Sequence, residues 1–113
     1  MFNKHDNMGY RVSLTGIRQK TRAHGQKTLM VEFRLQKGAV LPLHRHPHEQ
    51  TGYLVSGRLD LTIGNETRQQ GPGDSWCIPG DTEHRAQALE DSVAIEVFSP
   101  VREDYLPQQG GTT

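Results

Sequence analysis

Apolar and polar side chains alternate with period two along most of the chain. Leu29, Val31, Phe33 and Leu35 stand against Met30, Glu32, Arg34 and Gln36, and Leu59, Leu61 and Ile63 stand against Arg58, Asp60 and Thr62. Successive side chains of a strand point to opposite sides, so the pattern predicts strands with one face on a core and the other toward a wetter surface. Five further segments read as strands: Tyr10 to Ile17, Gln50 to Ser56, Asp74 to Ile78, His84 to Ala88 and Val93 to Phe98. Gly38, Pro42, Gly57, Gly64-Asn65, Gly71-Pro72-Gly73 and Pro79-Gly80 punctuate them as turn signals, at the spacing of an all-β sandwich or barrel. Nothing carries the 3.6-residue period of an amphipathic helix, and no internal repeat is present. The expected layout is a flexible N-terminal segment over 1–9, one domain over 10–106 and a flexible C-terminal tail over 107–113.

A length of 113 residues leads to the expectation of one core, without a separate cofactor domain. Leu, Ile, Val and Phe total only 24 residues and the mean hydropathy is −0.72, which on its own would suit a disordered chain. The charge argues for folding, because thirteen basic residues balance thirteen acidic ones, whereas disordered chains of low hydrophobicity usually carry a large net charge. A thin core around a polar interior satisfies both facts. No apolar run approaches the ~20 residues that span a bilayer, and Met1 to Tyr10 lacks a signal-peptide apolar stretch. The expectation is therefore a cytoplasmic protein with no membrane partner. The single cysteine, Cys77, can form no internal disulfide.

Charge is unevenly spread, with nine basic and three acidic residues in 1–50 against four basic and ten acidic in 51–113. Arg18, Lys20 and Arg22 alternate along the outer side of one strand without interleaved aromatics for base stacking, so they read as a solvated face and no nucleic-acid partner is expected.

Six histidines are present, three of them in His44-Arg45-His46-Pro47-His48. Residues i and i+2 of a strand share a side, so His44 and His46 can offer two imidazoles to one point, and His84 follows another Gly/Pro turn. Pro47 bends the chain and turns His48 away. Together they predict a metal site.

The stretch Gly38-x5-His44-x-His46-x3-Gln50-x6-Gly57 resembles the first motif of the cupin superfamily, and Gly73-x5-Pro79-x4-His84 resembles the second. The resemblance implies a small single-domain β-barrel of jelly-roll type holding one divalent transition metal ion, drawn from nickel, zinc, manganese and iron, with His44, His46, Gln50 and His84 as ligands. Gln50 stands where the superfamily usually has Glu; Asp81 and Ala88 replace its usual Gly and Asn. Glu49 is the alternative fourth ligand, but a shift of one residue turns its side chain to the opposite face. An amide ligand cancels none of the ion's charge, so three imidazoles and Gln50 leave a divalent ion at +2, which suits polarising an anionic oxygen substrate better than oxygen activation.

Glu96 and Phe98 share a face with Ala94. By pattern alone Glu96 is either a general base pointing into a barrel or an edge-strand glutamate in solvent. Arg102 is either a clamp on a substrate carboxylate or a surface arginine paired with Glu103 or Asp104. The closing run from Glu96 to Leu106, combined with the His/His/Gln/His set, is similar to the small pectin-degradation cupins of the KdgF-like group, which linearise 4,5-unsaturated uronates. That resemblance implies a small anionic sugar-like substrate and catalytic roles for Glu96 (usually Asp in the group), Phe98 and Arg102. The group's chemistry, carried over, has the metal holding the substrate carboxylate, Arg102 binding anionic oxygen and Glu96 moving the hydroxyl proton. A homodimer covering the open sheet edges is the family-level expectation. Two rival functions follow from the same motifs: a quercetinase-type cupin dioxygenase and a non-catalytic metal- or sugar-binding module. Trp76 and Tyr53 are candidates for stacking on a sugar, although a lone tryptophan in a small barrel also serves as core. Cys77, out of phase with Trp76, reads as a small buried filler, and Asp81 as a turn residue.

Overall fold

The computed structural model describes residues 1–107, so most of the expected tail, 108–113, lies outside the described residues. Ten strands run in chain order: β1 Arg11–Leu14, β2 Ile17–His24, β3 Leu29–Leu35, β4 Val40–His44, β5 Glu49–Ser56, β6 Leu59–Ile63, β7 Glu66–Gln70, β8 Ser75–Ile78, β9 His84–Ala88 and β10 Ser92–Ser99. One 3₁₀ turn, Glu103–Tyr105, follows. Every pairing is antiparallel, in a six-stranded sheet ordered β1-β2-β3-β10-β5-β8 and a four-stranded sheet ordered β4-β9-β6-β7. The expected all-β barrel is the architecture found.

Three local readings are corrected. Tyr10 to Ile17 is not one strand: the chain turns at Thr15-Gly16, where Gly16 has φ +78°, a left-handed conformation that glycine adopts without strain, and β1 folds back on β2. Pro42 lies inside β4 rather than in a turn; β4 is an edge strand, where a missing backbone donor costs no ladder bond. β7, Glu66-Thr67-Arg68-Gln69-Gln70, escaped notice because it has no apolar residue to alternate, being the outer edge of the small sheet.

The inner face of the large sheet follows the expected alternation. Ile17, Leu35, Leu54 and Ala94 pack with Leu59 and Ala88 of the small sheet into one apolar cluster. Leu29, Val31 and Phe98 form a second, against which Val101, Tyr105 and Leu106 of the closing segment fold. Phe33 touches both. Between the sheets lies a cavity of about 450 Å³, a size typical of small-molecule sites. Among the described residues no helix is long and apolar enough to cross a membrane.

Candidate metal centre and its cavity

His44 ends β4 and His84 begins β9, and the two are cross-strand partners in the small sheet. His46 lies just past β4, in the turn before β5, so only one of the two expected strand histidines stands in a strand. The turn nonetheless delivers it: one ligand nitrogen from each of His44, His46 and His84 can be chosen so that all lie within 4.8 Å of one another. His48 is not in this group.

Each of the three rings places Nδ1 against a backbone carbonyl: His44 against Pro42 at 2.8 Å, His84 against Thr82 at 2.8 Å and His46 against His48 at 3.1 Å. A carbonyl only accepts, so Nδ1 carries the proton and Nε2 keeps its lone pair, the tautomer a ligating imidazole requires. His84 Nε2 is buried with no partner among the described residues. Burial is the main reason that the His84 imidazolium is disfavoured, down to about 4, and that His46 is lowered, with the Arg102 charge adding to the latter. Deprotonated rings with inward lone pairs fit a metal ion.

Gln50 is buried on β5 while Glu49 next to it is exposed, as the alternation required. The Gln50 amide donates a hydrogen bond to Glu96, which turns its oxygen to within 3.1 Å of His46 Nε2. Two lone-pair groups face each other there, an arrangement that a cation between them relieves.

Glu96 lies on the central strand β10 and lines the cavity, so of the two readings left open the inward one is the structure's. Burial pushes its carboxyl up to about 7, against the opposing pull of the bonds from Gln50 and from the Trp76 indole N–H at 3.0 Å. These groups share one cross-sheet row, Glu96–Gly52–Trp76. A Cβ on Gly52 would lie 2.2 Å from the indole and 2.4 Å from the Glu96 carboxylate, so only glycine lets ring and acid meet.

Phe98 is buried in the row of Gln50, with its ring 5.8 Å from His46 and 5.4 Å from Tyr105. Arg102 combines both of its expected surroundings. It lines the cavity, stacks 4.0 Å over Tyr105 and makes two hydrogen bonds to Asp104, at 2.9 and 3.3 Å. Trp76 is a cavity residue, but Tyr53 faces the outside of the barrel with half its surface exposed, since it pairs with Ser75 one step from the inward Gly52–Trp76 pair. Cys77 is exposed for the same reason, as it alternates with Trp76 and Ile78 on edge strand β8, and it fills no core.

Three cavity residues were not anticipated: Arg11, Gln19 and Tyr105. The alternation of Arg18, Lys20 and Arg22 on the outer side already implied that Gln19 faces inward. Nothing local indicated that Tyr105 would fold back over the barrel.

Residues 31–99 match the family model described as a cupin domain, and the chain belongs to the cupin family. Within it, the chain is 33% identical over 93 residues to the pectin degradation protein KdgF of Dickeya dadantii, covering 80% of this chain and 84% of that protein. It superposes on the structure of KdgF from a Halomonas species with a TM-score of 0.84 and 38% identity, covering 88% and 92% of the two chains. Oxalate decarboxylase OxdC of Bacillus subtilis is 35% identical over 66 residues, 54% of this chain and 17% of that protein.

Proposed function

We propose that the protein opens the ring of 4,5-unsaturated uronate monosaccharides and tautomerises them to the linear keto form. The observation that carries this reading is Glu96, a carboxyl raised to about 7 and held by Gln50 and Trp76 on the wall of a cavity that the three-histidine cluster borders and Arg102 also lines. The likeness to two KdgF proteins supports it.

His44, His46, Gln50 and His84 would hold one divalent transition metal ion, which supplies Lewis acidity toward substrate oxygens. Arg102 has donors beyond the two used by Asp104 and receives an anionic oxygen of the substrate. Glu96, poised near neutral, takes the proton of the hemiacetal hydroxyl as the ring carbon–oxygen bond breaks. A carbonyl forms at that carbon, the released electron pair leaves the former ring oxygen as an enolate, and the proton returns to the adjacent alkene carbon as the ketone forms. The reaction is an isomerisation, with no atom gained or lost. Phe98, Trp76 and Tyr105 give the cavity apolar walls that limit water around the acid.

The reading includes a homodimer, for which the outer face of the large sheet offers the exposed Met30, Tyr53 and Val55; light scattering across a concentration series tests it. The functional test is incubation of the metal-loaded protein with 4,5-unsaturated galacturonate while the conjugated ultraviolet absorbance is followed. Loss of that absorbance, with the linear ketone appearing by NMR, is expected. Unchanged absorbance, or oxygen uptake with a flavonol, would overturn the reading, the latter in favour of a dioxygenase.

A further inference from the structure

Gln19 stands on the inner face of β2, 2% exposed, in a row with Phe33, Ala94 and Leu54. Its neighbours in that row on β3, β10 and β5 are apolar, its β1 partner Arg11 turns its guanidinium to the Asp104 carbonyl at 2.8 Å, and its side-chain oxygen is buried with no hydrogen-bond partner among the described residues. A buried unpaired amide is unfavourable for folding, and an apolar residue of similar size would suit the wall better. Yet Gln19 lines the cavity, as do Glu96 and the metal-end residues His44, His84 and Gln50.

Its placement says what it meets. Glu96 lies one row nearer the metal end on β10, and Gln19 lies two strands away on β2, with Phe33 of β3 beside it on the side toward β10. At roughly 6.6 Å between rows and 4.8 Å between strands, the two backbones are about 12 Å apart on one face of the sheet, so a monosaccharide lying across that face can meet both side chains. The carboxylate-binding groups, Arg102 and the metal end, thus face one side of such a ligand, and Gln19 faces another. An amide oxygen accepts from hydroxyls and repels carboxylates.

We propose that Gln19 is a recognition residue, its unpaired amide receiving a hydroxyl of the bound molecule so that the cavity prefers a polyhydroxylated carboxylate to a plain dicarboxylate. This rests on the uronate reading above and specifies which part of the cavity reads the sugar hydroxyls.

The test uses the metal-loaded protein and its Gln19→Leu and Gln19→Met variants, with D-galacturonate and glutarate as probes by calorimetry, and thermal unfolding without ligand. The expected result is a roughly 5- to 20-fold loss of galacturonate affinity in both variants, glutarate affinity unchanged within about twofold, and melting temperatures equal to or above the parent. A structural role would lower the melting temperature and weaken both probes alike, and either outcome overturns the assignment. Equal galacturonate affinity in parent and variants removes Gln19 while leaving the uronate reading in place. A parent that binds glutarate and not galacturonate overturns the uronate reading and the hydroxyl assignment with it.

Discussion

Two glutamates one residue apart in register show how differently one sheet treats the same side chain. Glu32 on β3 pairs with Ile95, and Glu96 on β10 pairs with Val31, so they occupy neighbouring strands and opposite faces. Burial disfavours the charge of both. On the outer face Glu32 outweighs that penalty with hydrogen bonds from Tyr10, Arg34 and Arg22, which bring its carboxyl down to about 2, and four cations ring the Tyr10 face at 5.2–5.9 Å. On the inner face Glu96 receives only neutral donors, Gln50 and Trp76, and its carboxyl rises to about 7. Burial alone therefore does not set a carboxylate's charge; whether its donors are cationic does. One acid is a fixed anion that binds strands together, and the other is free to exchange a proton.

The largest effect expected is on the metal. His84→Ala should lose stoichiometric metal by elemental analysis, whereas His48→Ala should keep it; full occupancy in His84→Ala would show that the three rings are not one site. Next is Glu96→Gln, which keeps the shape and the Trp76 contact but cannot carry the proton, and should slow uronate turnover by roughly 10²–10⁴-fold with a melting temperature at neutral pH no lower than the parent's. Glu32→Gln should do the reverse. Removing the anion leaves Arg22 and Arg34 facing each other, so stability should fall by about 2–4 kcal/mol in urea titration while turnover of the folded protein is unchanged.

The two acids should also give stability profiles of opposite slope in the metal-free protein. Glu32, depressed from 4.5 to about 2, contributes fully above pH 4.5, and that contribution, about 3 kcal/mol, is lost as pH falls from 4.5 to 2. Glu96, raised from 4.5 to about 7, holds a proton that the unfolded chain has released, so its contribution is complete below pH 4.5 and declines as pH rises to about 7. Glu96→Gln should flatten the second slope and Glu32→Gln the first, read from melting temperatures across pH. The smallest effect expected is at the Arg102–Asp104 pair. Asp104→Asn frees the Arg102 fork and should lower the KM for the uronate a few-fold, while Arg102→Lys, which keeps charge without the planar fork, should raise it. Were both silent, Arg102 would be only a partner of Asp104.

Much of this was decided by order along the chain. Alternation at 29–35 and 59–63 placed the core strands, because a strand's period is two wherever it lies, and the same rule separated the inward Gln50 from the exposed Glu49. The spacing of His44, His46 and His84 pointed to a shared site, and the fold brings the three rings together in an arrangement that could hold a metal ion. Period two assigns residues to two sides without saying which side is inside, and here tertiary packing had to choose. β10 lies between β3 and β5, with its outward Val93, Ile95 and Val97 half-buried, so its sequence could not say whether Glu96 met solvent or a cavity. Tyr53 and Cys77 lay on the outer face for the same reason. Strand β7 carried no pattern because neither face meets the core, and Gln19, Trp76 and Glu96 come from three distant parts of the chain onto one wall. Their chemistry depends on which donors surround each buried group, and those donors are brought together only when distant strands pair in the large sheet.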